Sequence, residues 1–215
     1  MKKIIFTALV VCGFTVAAFS QSDKYILAMG KNLSQFDSAK TTDDFIQLAN
    51  NFERIGDAEK TEWAAYYYAG LALSSAGWIP STTINKDDNA GKIIMLMDKA
   101  ELLAPNDTAK SEIYTIRNMA YTQQMIVDPQ SRYMTYGKQA ADALQKAETL
   151  YPNNPRVFYL QGMSLFNTPV QFGGGKDKAK IVFTKAIDLY KAEHPQPLYP
   201  NWGQKQAEQQ LILCN

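Results

Sequence analysis

"QKAETLYPNN", residues 145–154, is the stretch on which the fold turns. It sets Ala147 and Leu150 on one side of a helix and then closes that helix with Pro152. The same ending recurs as "DKAELLAPND" at 98–107 and as "TKAIDLYKAE" at 184–193, each with Lys-Ala followed three residues later by Leu. Three helices that end alike predict a repeated unit. Outward from these ends, apolar residues recur at helical period almost throughout. Ile26, Met29, Leu33 and Phe36 form one stripe, and Phe45, Leu48, Ala49, Phe52 and Ile55 the next. Others run through Ile93, Met97, Ala100 and Leu103, through Ala140, Leu144, Ala147 and Leu150, and through Ala179, Phe183, Ala186, Ile187 and Tyr190. Turn-rich segments such as "GWIPSTTINKDDNAG" and "HPQPLYPN" separate them. With no alternating strand in view, the pattern predicts an all-α chain of about nine helices.

The repeated unit has a consistent interior. Tyr66, Ala69, Gly70 and Leu73 precede Ile93, Met97, Ala100 and Pro105; Ile116, Met119, Ala120 and Gln123 precede Ala140, Leu144, Ala147 and Pro152. Phe158, Gln161, Gly162 and Leu165 precede Ala179, Phe183 and Ala186, with Lys191 where the proline is expected. A degenerate first unit uses Ile26, Met29, Gly30, Leu33, Ile46 and Ala49. On these residues the chain resembles the tetratricopeptide repeat (TPR) family, whose helix pair reads W-x2-L-G-x2-Y, then A-x3-F, then a closing proline. The resemblance implies a TPR-like helical-hairpin solenoid of three to four repeats, with units at 22–56, 60–106, 109–154 and 155–192 and a capping helix at 201–213. Gly or Ala on helix A would let a large Phe, Met or Leu of helix B approach, and stacked pairs would share one core.

Gly30 and Ala49 are 19 residues apart, the family spacing, whereas Gly70 to Ala100, Ala120 to Ala147 and Gly162 to Ala186 span 30, 27 and 24. The later units therefore carry insertions of 11, 8 and 5 residues, all at one end of the hairpins, an edge that often serves binding. The third insertion belongs to "FNTPVQFGGGKDKAK", residues 166–180. A phosphate loop needs an earlier glycine and a hydroxyl after the lysine, where Asp177 stands, so the glycines read as a turn into a helix from Asp177 to Tyr190. The chain also resembles secreted TPR-like proteins of unassigned function with a "TP…FGGG" loop, an "NPR" matched by Asn154, Pro155 and Arg156, and a late "P-x-WG" matched by Pro200, Trp202 and Gly203.

Lys2 and Lys3, the apolar run Ile4 to Val11 and an A-x-S site ending at Ser20 predict a signal peptide over 1–20. Val11 before Cys12 disfavours lipidation. Cleavage leaves one domain, 21–215, with 20 basic and 21 acidic side chains, exported across the inner membrane to the periplasm and without a transmembrane anchor. That balance lacks a nucleic-acid footprint. Of the two cysteines only Cys214 remains, which excludes an internal disulfide.

The residues offer no catalytic constellation, metal site or cofactor. His194 is the sole histidine and Cys214 lies in the tail, so no nucleophile and base pair up. "NKDDNAGK" alternates Asn85, Asp87 and Asn89 like a calcium loop, but Ala90 and Leu96 replace the glycine and the glutamate it requires. It reads as a polar loop in which Asp88 or Asn89 caps the following helix. Trp202 and the tail 204–213 are expected to cap the last exposed face.

The TPR resemblance assigns a concave groove to Ala64, Tyr67 and Leu71, to Tyr114, Arg117 and Tyr121, and to Arg156, Tyr159 and Met163. Tyrosine and arginine suit recognition, and they equally fill a tight helix stack. The implied function is a non-catalytic scaffold of the cell envelope that binds an extended protein or peptide segment, with Arg117 or Arg156 holding a carboxylate or carbonyl. The alternative is a small-molecule or glycan-binding component that uses the three long loops and the aromatic groove.

Overall fold

The computed structural model describes residues 22–80 and 83–215; the signal peptide, its cleavage site and Cys12 lie outside the described residues. Among the described residues the regular structure is all helical. α1 is Asp23–Phe36, α2 Thr42–Glu59, α3 Trp63–Trp78, α4 Lys86–Leu103 and α5 Asp107–Met125. A short α6, Pro129–Arg132, runs into a π-helical turn, Tyr133–Gly137, and then α7, Lys138–Leu150. α8 is Pro155–Asn167, followed by a 3-10 turn at Val170–Phe172, α9 at Lys176–Ala192 and α10 at Gln204–Leu213. No described helix is long and apolar enough to cross a membrane.

The repeated endings explain the turns between units. α4 stops at Leu103 and α7 at Leu150, each just before the proline pair; Asn106 and Asn154 then cap the next helix, accepting the N–H of Ala109 at 3.0 Å and of Arg156 at 2.9 Å. In the third copy Lys191 replaces the proline, so α9 runs on to Ala192 and the chain leaves in a new direction. Helix α4 begins earlier than the sequence suggested: Asn85, not Asp88 or Asn89, is the cap, with its side chain accepting the N–H groups of Asp87 and Asp88.

Successive long helices pack antiparallel, as the paired contacts show. Asn32 meets Asn51, Phe52 stacks on Tyr68, Gln123 meets Asn89, Ser111 bonds Ala147, and Gln161 bonds Glu148. The connections therefore alternate between two ends of the stack. One end carries 79–80, 83–85, 126–137 and 168–175, and the other carries 60–62, 104–106, 151–154 and 193–203.

Small residues sit at the crossings. A Cβ on Gly70 would fall 2.6 Å from Met97, and one on Gly162 would fall 2.5 Å from Phe183. Gly30 differs from expectation: it is exposed with nothing nearby, and Gly56 of α2 makes the close approach instead, under the Tyr66 ring. Helix α3, apolar on every side, is buried along nearly its whole length, the behaviour of a helix with no solvent face.

After α9 the segment 194–203 turns back across the A helices as a strap. Leu198, Tyr199 and Trp202 pack on the main core. Tyr68 Oη donates to the Tyr199 carbonyl at 2.9 Å, and Trp202 Nε1 donates to Tyr67 Oη at 2.7 Å. Trp202 thus lies against Tyr67 and Tyr159 rather than capping the last face, which α10 covers alone. The turn into α10 requires Gly203: its φ is 108°, and a Cβ there would lie 2.0 Å from Tyr190 Oη.

Candidate ligand-binding site

The residues that the TPR resemblance places in a groove fall into two groups. Ala64, Tyr67, Leu71 and Arg156 are buried, while Tyr114, Arg117, Tyr121, Tyr159 and Met163 are half-buried. Tyr67, Arg156 and Tyr159 are brought together, and the partner that joins them is the strap. Arg156, with no solvent exposure, bonds Glu193 through both terminal nitrogens at 2.7 and 3.2 Å and reaches Glu112 at 3.2 Å. Its guanidinium lies over the rings of Tyr190 and Trp202. Tyr67 Oη donates to the other oxygen of Glu112 at 3.1 Å. Burial pulls the Arg156 pKa down, but Glu112, Tyr67 and Glu193 outweigh it and hold the group above its usual value. Burial pushes Glu112 up against the pull of Arg156, and pushes the Tyr67 phenol far above its normal range.

Arg117 is engaged too. It binds Glu101 at 2.6 Å and Asp98 at 2.8 Å and lies over the Tyr114 ring, whose hydroxyl donates to Glu101. Both arginines expected to hold a ligand carboxylate therefore hold carboxylates of this chain. Met163 lies against the cluster of Ala179, Phe183 and Cys214, and burial raises the thiol pKa of Cys214.

The surface left open to a ligand is at the end where the long connections emerge. Trp78, Val127, Tyr133, Met134, Val170 and Phe172 are all exposed there, Tyr133 to 64%, Met134 to 78% and Phe172 to 75%. At the opposite end the exposed large apolar side chains are Leu102, in the last turn of α4, and Ile26 and Leu27, near the start of α1, all aliphatic. Sequence reasoning found the three insertions but not their apolar tips; the signal was present in "GWIP", "VDPQSRYM" and "PVQF", apolar residues standing inside turn-rich segments.

Each tip is rigidly mounted. The carbonyls that end α3 are taken up by neighbours: Asn89 donates to Leu73, Gln123 to Ser74 and Lys86 to Gly77. In the next connection the Tyr133 ring and the Met125 sulfur both close on Gly137, where a Cβ would lie 3.1 Å from each, and Lys138 N–H reaches back to the Tyr133 carbonyl, which widens the helix to π. In the third, the glycines are a turn and not an anion cradle. The N–H groups of Gly173, Gly174 and Gly175 donate to the carbonyls of Val170, Pro169 and Leu165, leaving none to bind an anion. The basic residues at this end are tied as well, Arg132 to Asp87, Lys138 to Asp142, Lys176 to the Leu213 carbonyl and Lys178 to that of Gly173. The edge offers apolar faces on a hydrogen-bonded frame. Among the described residues no group of three or more His, Cys, Asp or Glu side chains is placed to hold a metal ion.

Neither any protein-family model nor any curated protein matches the chain. A solved structure does: the HusA haemophore from Porphyromonas gingivalis superposes with a TM-score of 0.79 and 34% sequence identity, over 91% of this chain and 94% of that one. The chain belongs to the HusA haemophore family. Its solved relative is by name a haem carrier, a binding protein and not an enzyme. This relationship overturns the expectation of a protein or peptide partner, since it points to a small ligand. The strap gives a physical reason at three of the assigned positions: Trp202 lies on Tyr67, Arg156 and Tyr159.

Proposed function

We propose that this protein is a non-catalytic, exported haem-binding carrier that holds its ligand on the apolar edge formed by Trp78 at the end of α3 and by the 126–137 and 168–175 connections. The observation that carries this reading is the set of exposed aromatic and aliphatic side chains at those connections, in a relative of a haemophore. Haem is a flat apolar ring whose binding is driven by removing its faces from water. The edge contains no histidine, His194 being in the strap, so the grip comes from ring faces and aliphatic contacts. The antiparallel helix succession supports a TPR-like solenoid as the scaffold, and residues 1–20 serve as the export signal to the periplasm.

The test is a haem titration of the protein from Gln21 onward, followed by the Soret band and by quenching of tryptophan fluorescence. Truncating one buried apolar side chain of this size removes about 1.5–3 kcal/mol, roughly tenfold or more in affinity. Tyr133→Ala with Met134→Ala, and separately Phe172→Ala, are expected to weaken haem binding to that extent. Unchanged affinity in the Tyr133→Ala, Met134→Ala pair would overturn the reading.

A further inference from the structure

Resting on that reading, we infer that Arg132 is a positioning residue for the ligand surface: its fork to Asp87 holds Tyr133 and Met134 in their binding position. Arg132 directly precedes the two exposed side chains and opens the π-helical turn that bears them. Its Nη1 and Nη2 meet Asp87 Oδ1 and Oδ2 at 2.6 and 3.0 Å, a two-pronged pair. Nη1 also donates to the Gln124 carbonyl at 3.0 Å, and the guanidinium lies over the Tyr136 ring.

One side chain therefore joins three elements, the first turn of α4, the last turn of α5 and the π-turn. Among the described residues it is the one hydrogen-bonded or ionic tie from the 126–137 segment to α4. Asp128 caps α6 locally, and Lys138 pairs within α7. Asp87 is well placed as the anchor, because a carboxylate in the first turn of a helix is favoured by the helix dipole. The same turn of α5 fixes Trp78, for Gln123 sits under Gly77 and bonds the Ser74 carbonyl while Gln124 receives Arg132. The fork thereby ties the start of the turn that bears Tyr133 and Met134 to α4 and to the end of α5.

A surface loop that must present apolar side chains to a rigid planar ligand gains affinity by being fixed in advance. Arginine suits the task where lysine does not, since only a planar fork fixes orientation as well as distance.

The experiment is haem titration of the protein from Gln21 onward, with thermal melts in parallel. The variants are Arg132→Met, Arg132→Lys, Asp87→Asn and the exchanged pair Arg132→Asp with Asp87→Arg, with Lys92→Met, which breaks an ion pair to Glu53 away from the edge, as a control that leaves the fork intact. Arg132→Met and Asp87→Asn are expected to weaken haem about tenfold and to alter the Soret band of the complex. Arg132→Lys should lie between them and the wild type, and the exchanged pair should recover most of the loss. The control should bind normally.

Wild-type affinity in Arg132→Met and Asp87→Asn, with Tyr133→Ala and Met134→Ala weakened, overturns this inference and leaves the loop-edge reading standing. Wild-type affinity in the Tyr133→Ala, Met134→Ala pair overturns both. Should Arg132→Met fail to fold, Asp87→Asn and Arg132→Lys decide, since each removes part of the fork without adding an apolar group.

Discussion

Replacing Arg156 by methionine tests whether this arginine is part of the frame or part of a binding surface. The substitution keeps the length of the stem and removes the bonds to Glu112 and Glu193 together with the group lying over Tyr190 and Trp202. It leaves two carboxylates facing each other with no cation, one of them almost fully buried. Breaking a buried pair in this way costs about 3–5 kcal/mol. In a domain of this size each kcal/mol lowers the melting temperature by about 2–4 °C, so a drop of roughly 6–20 °C is expected in thermal melts followed by circular dichroism.

The loss should depend on pH in a defined direction. Burial already raises the Glu112 pKa, and without Arg156 it rises further. A carboxylate whose folded pKa exceeds its unfolded value binds more protons in the folded state, so its contribution to stability falls as pH rises through that window. The gap between variant and wild type should widen from mildly acidic to neutral pH and be smallest where Glu112 can take a proton. Arg117→Met, whose partners Asp98 and Glu101 are more exposed, should cost no more than about 1 kcal/mol. A melting temperature within about 2 °C of wild type for Arg156→Met at neutral pH would refute the argument, because the charges would not be desolvated as the geometry requires.

The close approach of α8 and α9 makes Gly162→Ala costly, about 1–3 kcal/mol in chemical denaturation, since the new methyl meets Phe183. Gly30→Ala, open to solvent on α1, should instead stabilise by about 0.5–1 kcal/mol. At the start of α2 the Asp44 carboxylate accepts the N–H groups of Thr41 and Lys40, and these bonds hold its pKa below the usual aspartate value. Its contribution is complete above that usual value and is lost as pH falls through the lowered one. Hydrogen exchange should show the Thr41 and Lys40 amides losing protection in acid, and pH-independent protection would contradict this.

Helices were legible because their signals are local. The Lys-Ala-x-x-Leu endings with their prolines located the turns at 104–106 and 151–154, and Gly70 and Gly162 marked crossings that the structure shows to be tight. The assignment failed at Gly30, where an isolated glycine carries no information about what faces it. The fate of the tyrosines and arginines was not legible. Tyr67 and Arg156 look alike whether they line a groove or lie beneath a strap, and the strap residue that decides, Trp202, is 135 positions from Tyr67. The apolar edge was half legible: insertion lengths marked its connections, while the exposure of Tyr133, Met134 and Phe172 depends on a π-turn and a glycine turn that no periodicity announces.

The strap also changes how the molecule assembles. A plain helical stack is nearly one-dimensional: each unit leans on its neighbours, folding can begin anywhere, and the ends fray first. Here the Tyr68 hydroxyl is satisfied by a carbonyl 131 residues downstream, and the two-pronged partner of Arg156 is Glu193, 37 residues on. The early helices therefore remain incompletely paired until nearly the whole chain is available, and closing so long a loop slows folding while coupling its two halves.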